Sequence, residues 1–137
     1  MNNTINRIKK YKELKADIRD IEIRLQELEE EMLGISGQGM EERTGKTYKI
    51  TSSVEQQAEK FMEKKEELLK IKLMKEREIK RIDNAMTVLL DEEREIIQEA
   101  HIEHKKYWRL EEKLNLTYSR IKQIEKEAVE KMKRYIA

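Results

Sequence analysis

The chain has 137 residues, 43% of them charged and 37% hydrophobic, with no proline, no cysteine and only four glycines. That balance excludes a thick globular core and suits long solvent-washed helices, each burying one narrow stripe. The absence of proline points the same way, because a helix interior tolerates it poorly. The 30 Lys plus Arg nearly cancel the 29 Asp plus Glu overall, but residues 101–137 hold 10 basic and 6 acidic side chains, so the positive excess sits in the tail. Without cysteine there is no disulfide and no thiolate metal site. No apolar run approaches the roughly 18 residues of a membrane span. Residues 1–15 are basic and polar and lack a signal-peptide core, so the protein is expected to be soluble and cytoplasmic.

The first predicted element carries Tyr11, Leu14, Ile18, Ile21, Leu25, Leu28 and Met32, alternating steps of three and four. That is a heptad seam, with charged residues at most other positions apart from Ile23. A helix with so thin a stripe is marginal alone and needs a partner helix. Residues 34–52 contain all four glycines, with Gly34 placed as a helix C-cap, and are expected to form a loop in which Thr47 to Ile50 can extend locally. Ser52 and Glu55 fit a capping box that opens the next helix.

Helical spacing then runs through Val54, Ala58, Phe61, Leu68, Ile71, Ile79, Ile82, Met86 and Leu89. Lys65, Lys72 and Lys75 interrupt this stripe, yet their aliphatic stems can cover apolar surface while the ammonium reaches water. The two long elements are expected to pair as an antiparallel hairpin over about residues 4–89. Met32, Met62, Met74, Met86 and Met132 lie near predicted apolar positions and are expected to fill gaps in the packing.

A further helix begins near Asp91, a candidate cap followed by carboxylates that suit its positive end, with Ile96, Ile97, Ala100 and Ile102 on the apolar side. Beyond it Trp108, Leu110 and Leu114 are expected to face inward from a short helix. Asn115 can adopt the left-handed conformation that ends it. Leu116 returns to the core, and Thr117 is a good N-cap for the last helix. There Ile121, Ile124, Ala128 and Met132, with Val129 and Ile136 alongside, form the inward face.

The outward face of that last helix is Tyr118, Ser119, Lys122, Gln123 and Lys126, with Arg120 on its flank. Gln can pair with an adenine edge, Lys and Arg with guanine or phosphate, and Ser with either. Two helices joined by a tight turn, the second polar outside, make a helix-turn-helix that sets the start of its second helix against bases. Residues 90–137 are therefore expected to be a DNA-binding domain and residues 1–89 an oligomerisation or docking element.

The run Leu114-Asn115-Leu116-Thr117-Tyr118-Ser119-Arg120-Ile121-Lys122-Gln123-Ile124-Glu125 resembles the helix-turn-helix of the fourth conserved region of bacterial sigma factors. Glu127-Ala128-Val129-Glu130-Lys131-Met132 continues the likeness, and Leu90 with Glu93-Arg94-Glu95-Ile96-Ile97 is similar to that family's opening helix. Glu111 stands where the family usually has Ala or Gly, so its side chain has to splay outward or the two motif helices cross more loosely. The whole chain, including Tyr107-Trp108, resembles phage transcriptional regulators of the ArpU and RinA type.

The resemblance implies an all-α protein, a long antiparallel helical hairpin followed by a sigma-like helix-turn-helix. It implies DNA-contacting roles for Tyr118, Ser119, Arg120, Lys122 and Gln123, with Thr117 as cap and phosphate contact. The implied partners are double-stranded DNA, RNA polymerase and further copies of the chain, with no membrane and no small-molecule substrate, and the implied role is activation of phage late genes. A small terminase-like DNA-packaging protein and a structural coiled-coil adaptor are the alternatives.

Other chemistry is not expected. His101 and His104 share helical spacing but lack a third metal ligand and are read as surface or interface histidines, so no metal or other cofactor is implied. Gly39 and Gly45-Lys46-Thr47 echo a phosphate loop, with five intervening residues where four are required and no preceding strand. No nucleophile, base and orienting group are brought together, so enzymatic activity is not expected.

Overall fold

The computed structural model describes residues 2–41 and 47–136, with side chains over residues 3–34 and 53–136. Among the described residues the protein is all-helical: α1 Asn2–Lys9, α2 Tyr11–Glu41, α3 Thr47–Thr87, α4 Asp91–Ile97, a π-helical segment Gln98–Ile102, α5 Tyr107–Leu114 and α6 Tyr118–Lys133. Two compact units form, one from residues 1–16 and 75–137 and the other from residues 17–74.

In the unit of residues 17–74 the heptad seam behaves as a two-helix contact. Ile21 is buried, while Ile18, Leu25, Leu28 and Met32 on α2 and Val54, Ala58, Phe61 and Leu68 on α3 are half-buried. Lys65 reaches Glu29 at 3.7 Å and Lys72 reaches Glu22 at 3.3 Å, so rising numbers on one helix meet falling numbers on the other and the pairing is antiparallel. Both lysines are partly buried at seam positions, the snorkelling geometry that a long aliphatic stem permits. Ion pairs with so much solvent contact add little to stability.

Several expectations for these helices change. The glycine-containing segment is helical as far as Glu41 and again from Thr47, so Gly34 lies inside α2, Thr47 to Ile50 are not extended and α3 starts ahead of Ser52. Residues 42–46, which carry part of the phosphate-loop echo, and the Ser52 side chain lie outside the described residues. Met62 and Met74 sit one position off the seam marked by Phe61 and Lys75 and are exposed, as is Ile71, whereas Met86 and Met132 are buried.

The unit of residues 1–16 and 75–137 contains the larger core. Ile82, Ala85, Met86 and Leu89 at the end of α3 pack with Ile8 of α1, Ile97, Ile102, and Ala128, Val129, Met132 and Ile136 of the C-terminal segment. A second cluster, Ile96, Ala100, Leu110, Ile121 and Ile124, lies between α4, the π-helical segment, α5 and α6, with Tyr107, Leu114 and Leu116 against it. The expected domain boundary near residue 89 is not where this unit divides from the other, because α1 and the end of α3 belong to the same core as α6.

Polar side chains close the helix ends of this unit. Arg94 donates to the carbonyls of Met86 at 3.2 Å and Leu89 at 3.1 Å, placing a cation on the negative end of α3. Leu90, extended at φ −67° and ψ 159°, occupies the cap position of α4 in place of Asp91, because the Glu93 carboxylate reaches back to the Leu90 N–H at 2.9 Å. Arg7 of α1 pairs with Glu78 and donates to the Ile136 carbonyl, tying both chain ends to α3. Tyr11 donates to Asp83 at 2.6 Å, and burial together with that carboxylate pushes its hydroxyl up to about 12.

Asn115 ends α5 in the left-handed region, φ 54° and ψ 43°, as its place between two helices requires. An amide side chain tolerates this conformation, and glycine adopts it without steric cost. Asn115→Ala is expected to lower stability by about 1 kcal/mol and Asn115→Gly to leave it near wild type. Urea unfolding of the two variants checks this; equal losses would show that backbone conformation is not the constraint.

Candidate nucleic-acid interface

The turn between α5 and α6 is built from short-range chemistry. The Thr117 Oγ1 accepts from the Arg120 backbone N–H at 3.3 Å, so Thr117 is the N-cap of α6. Leu116 returns to the second cluster. Ile121, Ile124, Ala128, Val129 and Met132 are all buried, which fixes α6 along its aliphatic side.

Tyr107, Leu110 and Leu114 share one face of α5 at the i, i+3, i+7 spacing and supply its inward contacts. Trp108, expected inward, is one step round from Tyr107; it is 51% exposed, with the Arg109 guanidinium 5.4 Å from its ring. Glu111 is half-buried at the edge of this helix.

All seven candidate contact residues, Thr117, Tyr118, Ser119, Arg120, Lys122, Gln123 and Lys126, are exposed. At the helical period Ser119, Gln123 and Lys126 lie opposite the buried row of α6, Tyr118, Arg120 and Lys122 flank them, and Thr117 stands at the cap. Arg120 Nη1 lies 3.1 Å from Gln123 Oε1, and the Tyr118 ring meets Tyr107 edge-on at 5.5 Å and 81°. Lys122 Nζ stands 3.4 Å from the Tyr107 hydroxyl and 4.8 Å from the centre of its ring.

Behind this face lies a buried polar group that sequence reasoning missed. Glu125 is buried in the second turn of α6 and accepts from the Tyr107 hydroxyl at 2.7 Å. His101, expected at the surface or an interface, is only 4% exposed, one of four successive enclosed residues, 99–102, of the π-helical segment. Its Nε2 is 3.0 Å from Glu125 Oε1, an ion-pair distance off the line a hydrogen bond needs, and Nδ1 has no partner among the described residues. In the sequence Glu125 is the last residue of the sigma-like run and Tyr107 part of the aromatic pair, but a Glu one step from the aliphatic row of α6 reads equally well as a solvated side chain.

The charges sort into structural and exposed sets. Burial raises the Glu125 carboxyl, but the close His101 imidazole, the Tyr107 hydroxyl and the Lys122 charge together hold it below its ordinary value. Burial and the Glu125 carboxylate push the Tyr107 hydroxyl well above its ordinary range. The Lys113 hydrogen bond, aided by Lys105, holds the Glu99 carboxyl low against the opposing effect of burial. Lys105 and Lys113 pair with Glu99, and Lys131 with Glu93, so three of the tail's cations neutralise carboxylates of α4 and the π-helical segment. The outward face of α6 keeps Arg120, Lys122 and Lys126 with Gln123 between them.

Residues 85–134 match the family Sigma-70, region 4. No curated protein and no solved structure matches the chain. The match spans the end of α3 through α6 and contains the whole α5-turn-α6 unit, which is a sigma region 4-like DNA-binding helix-turn-helix.

The buried Glu125 also generates a pH dependence. Its folded value lies below the unfolded one, so its contribution to stability is complete above the ordinary glutamate value and is lost as pH falls through the folded value. Glu125→Gln is expected to cost about 2 kcal/mol at neutral pH and to flatten the acid decline. Urea unfolding at pH 7 and pH 4 tests this; the same acid loss in variant and wild type would overturn it.

Proposed function

We propose that this protein is a sequence-specific transcription regulator that sets the outward face of α6 into the major groove of duplex DNA and activates phage late genes. A helix-turn-helix of the sigma region 4 kind supplies the premise. The observation that carries the reading is the division of α6 into a fully buried aliphatic row and an exposed row of Tyr118, Ser119, Arg120, Lys122, Gln123 and Lys126. Such a helix is held rigidly from behind while its polar side chains remain free to meet base edges.

In this reading Gln123 and Arg120 contact base edges, Ser119 and Lys122 either bases or phosphate, and Lys126 the phosphate backbone. Thr117 and the first N–H groups of α6 meet a phosphate. RNA polymerase is the protein partner that a sigma-like unit would position at a promoter, and the host cytoplasm is the compartment in which it would act. A terminase-like packaging role shares the same DNA-binding surface; retention of a packaging site in preference to promoter fragments would favour it.

Replacing Arg120, Lys122 and Gln123 together with alanine is expected to abolish sequence-specific binding while leaving helicity intact. Wild-type affinity is expected to fall steeply with salt, with a slope of about −0.9 per phosphate neutralised. Footprinting and circular dichroism of the triple variant check this, and an unchanged footprint would refute the assignment.

The hairpin of residues 17–74 is read as the oligomerisation element. Among the described residues of this unit one seam residue, Ile21, is buried, which is little for two such helices, and Ile23, Met62, Leu69, Leu73 and Met74 remain exposed. Leu69→Lys with Leu73→Lys is expected to lower the mass measured by analytical ultracentrifugation. An unchanged sedimentation profile would exclude this face as the contact between copies.

A further inference from the structure

Lys122 differs from its neighbour Lys126 on the exposed side of α6. Its ammonium is held at one corner: 3.4 Å from the Tyr107 hydroxyl, 3.5 Å from Glu125 Oε1 and 4.8 Å from the centre of the Tyr107 ring. Tyr107 is fixed by its own donation to Glu125 Oε2 at 2.7 Å and by its edge contact with Tyr118. Glu125 is fixed in turn, buried in α6 with His101 Nε2 at 3.0 Å from its other oxygen. A buried carboxylate in contact with two partners and backed by core has little freedom to move.

We propose that Tyr107 and Glu125 are positioning residues that hold the Lys122 ammonium at a set point on the DNA-facing side of α6 and thereby raise sequence discrimination. This rests on the DNA-binding reading above and adds residues that contact no nucleic acid themselves. A lysine is a flexible stem with a point charge, able to reach any nearby phosphate. Phosphate contacts of that kind carry no sequence information. Held in place before binding, the same ammonium meets only what the duplex presents at that point, and the cost of ordering it has been met within the folded protein. The Arg120–Gln123 contact at 3.1 Å orders the adjacent part of the face in a similar way.

Tyr107→Phe separates this role from a structural one. It keeps the ring that packs on the second cluster and meets Tyr118, and removes only the hydroxyl that touches Glu125 and Lys122. Two measurements on the full-length chain are expected to change. In the free protein, acylation of Lys122 by an amine-reactive ester, read by mass spectrometry against Lys126 as internal reference, is expected to rise about fivefold, the population change that loss of one such bond produces. With a duplex that the wild-type protein selects from a random-sequence pool, preference over a scrambled duplex is expected to fall about fivefold, while binding to the scrambled duplex is kept or strengthened.

Glu125→Gln, checked for helicity by circular dichroism, is expected to act in the same direction on both measurements. Equal labelling of Lys122 in wild type and Tyr107→Phe would overturn the positioning role. Faster labelling with unchanged discrimination would overturn its link to specificity. Loss of binding to both duplexes in equal measure would assign Tyr107 to folding alone. If the wild-type protein retained no duplex at all, the DNA-binding reading and the link to specificity would fall together, and the labelling experiment would decide the Lys122 anchor by itself.

Discussion

The arrangement depends on the aliphatic row of α6. Ile121, Ile124, Ala128, Val129 and Met132 are buried in two adjoining clusters, one shared with α4, α5 and the π-helical segment, the other with α1 and the end of α3. Burying a side chain of this size contributes roughly 1.5–3 kcal/mol. Several in a row decide the rotation of the helix about its axis, and that rotation leaves the polar residues of its first turns on the outside. The proposed contact surface is thus a consequence of what the opposite side buries.

The core that holds α6 is larger than the two helices of the motif. Ile8 lies on α1, and Ile82, Ala85, Met86 and Leu89 lie on α3, yet all pack with the C-terminal segment. Arg7 and Arg94 reinforce this, one bonding the Ile136 carbonyl and the other the end of α3. Arg94 thereby supplies a donor where the intrahelical N–H partners of α3 run out. A small helix-turn-helix has limited apolar surface of its own, and a long helix running into its core supplies more.

The electrostatics follow the same division. The positive excess of the tail is partly used inside the fold, where Lys105, Lys113 and Lys131 pair with Glu99 and Glu93. The outward face of α6 keeps its own cations near an amide, and Lys122 is set between Tyr107 and Glu125. Net charge counted along the sequence therefore overstates what a partner meets, and the positions of the charges matter more than their sum.

The amino-acid order alone determined the helical class, the seam of α2 and the local chemistry of the α5–α6 turn. Periodicity of apolar residues, a left-handed Asn115 and the Thr117 cap are effects of neighbours within a few residues, so they are legible in order of residues. The match of residues 85–134 to sigma-70 region 4 includes that turn. Tertiary structure decided the rest. Trp108 faces out because Tyr107, Leu110 and Leu114 occupy the inward side of α5. His101 lies in the π-helical turn, and Glu125 becomes its neighbour, although 24 positions separate them, because α6 packs against α4, which leads directly into that turn. Contacts between distant residues depend on how helices cross, and helix crossing is set by the packing of whole faces, which no short run of sequence contains.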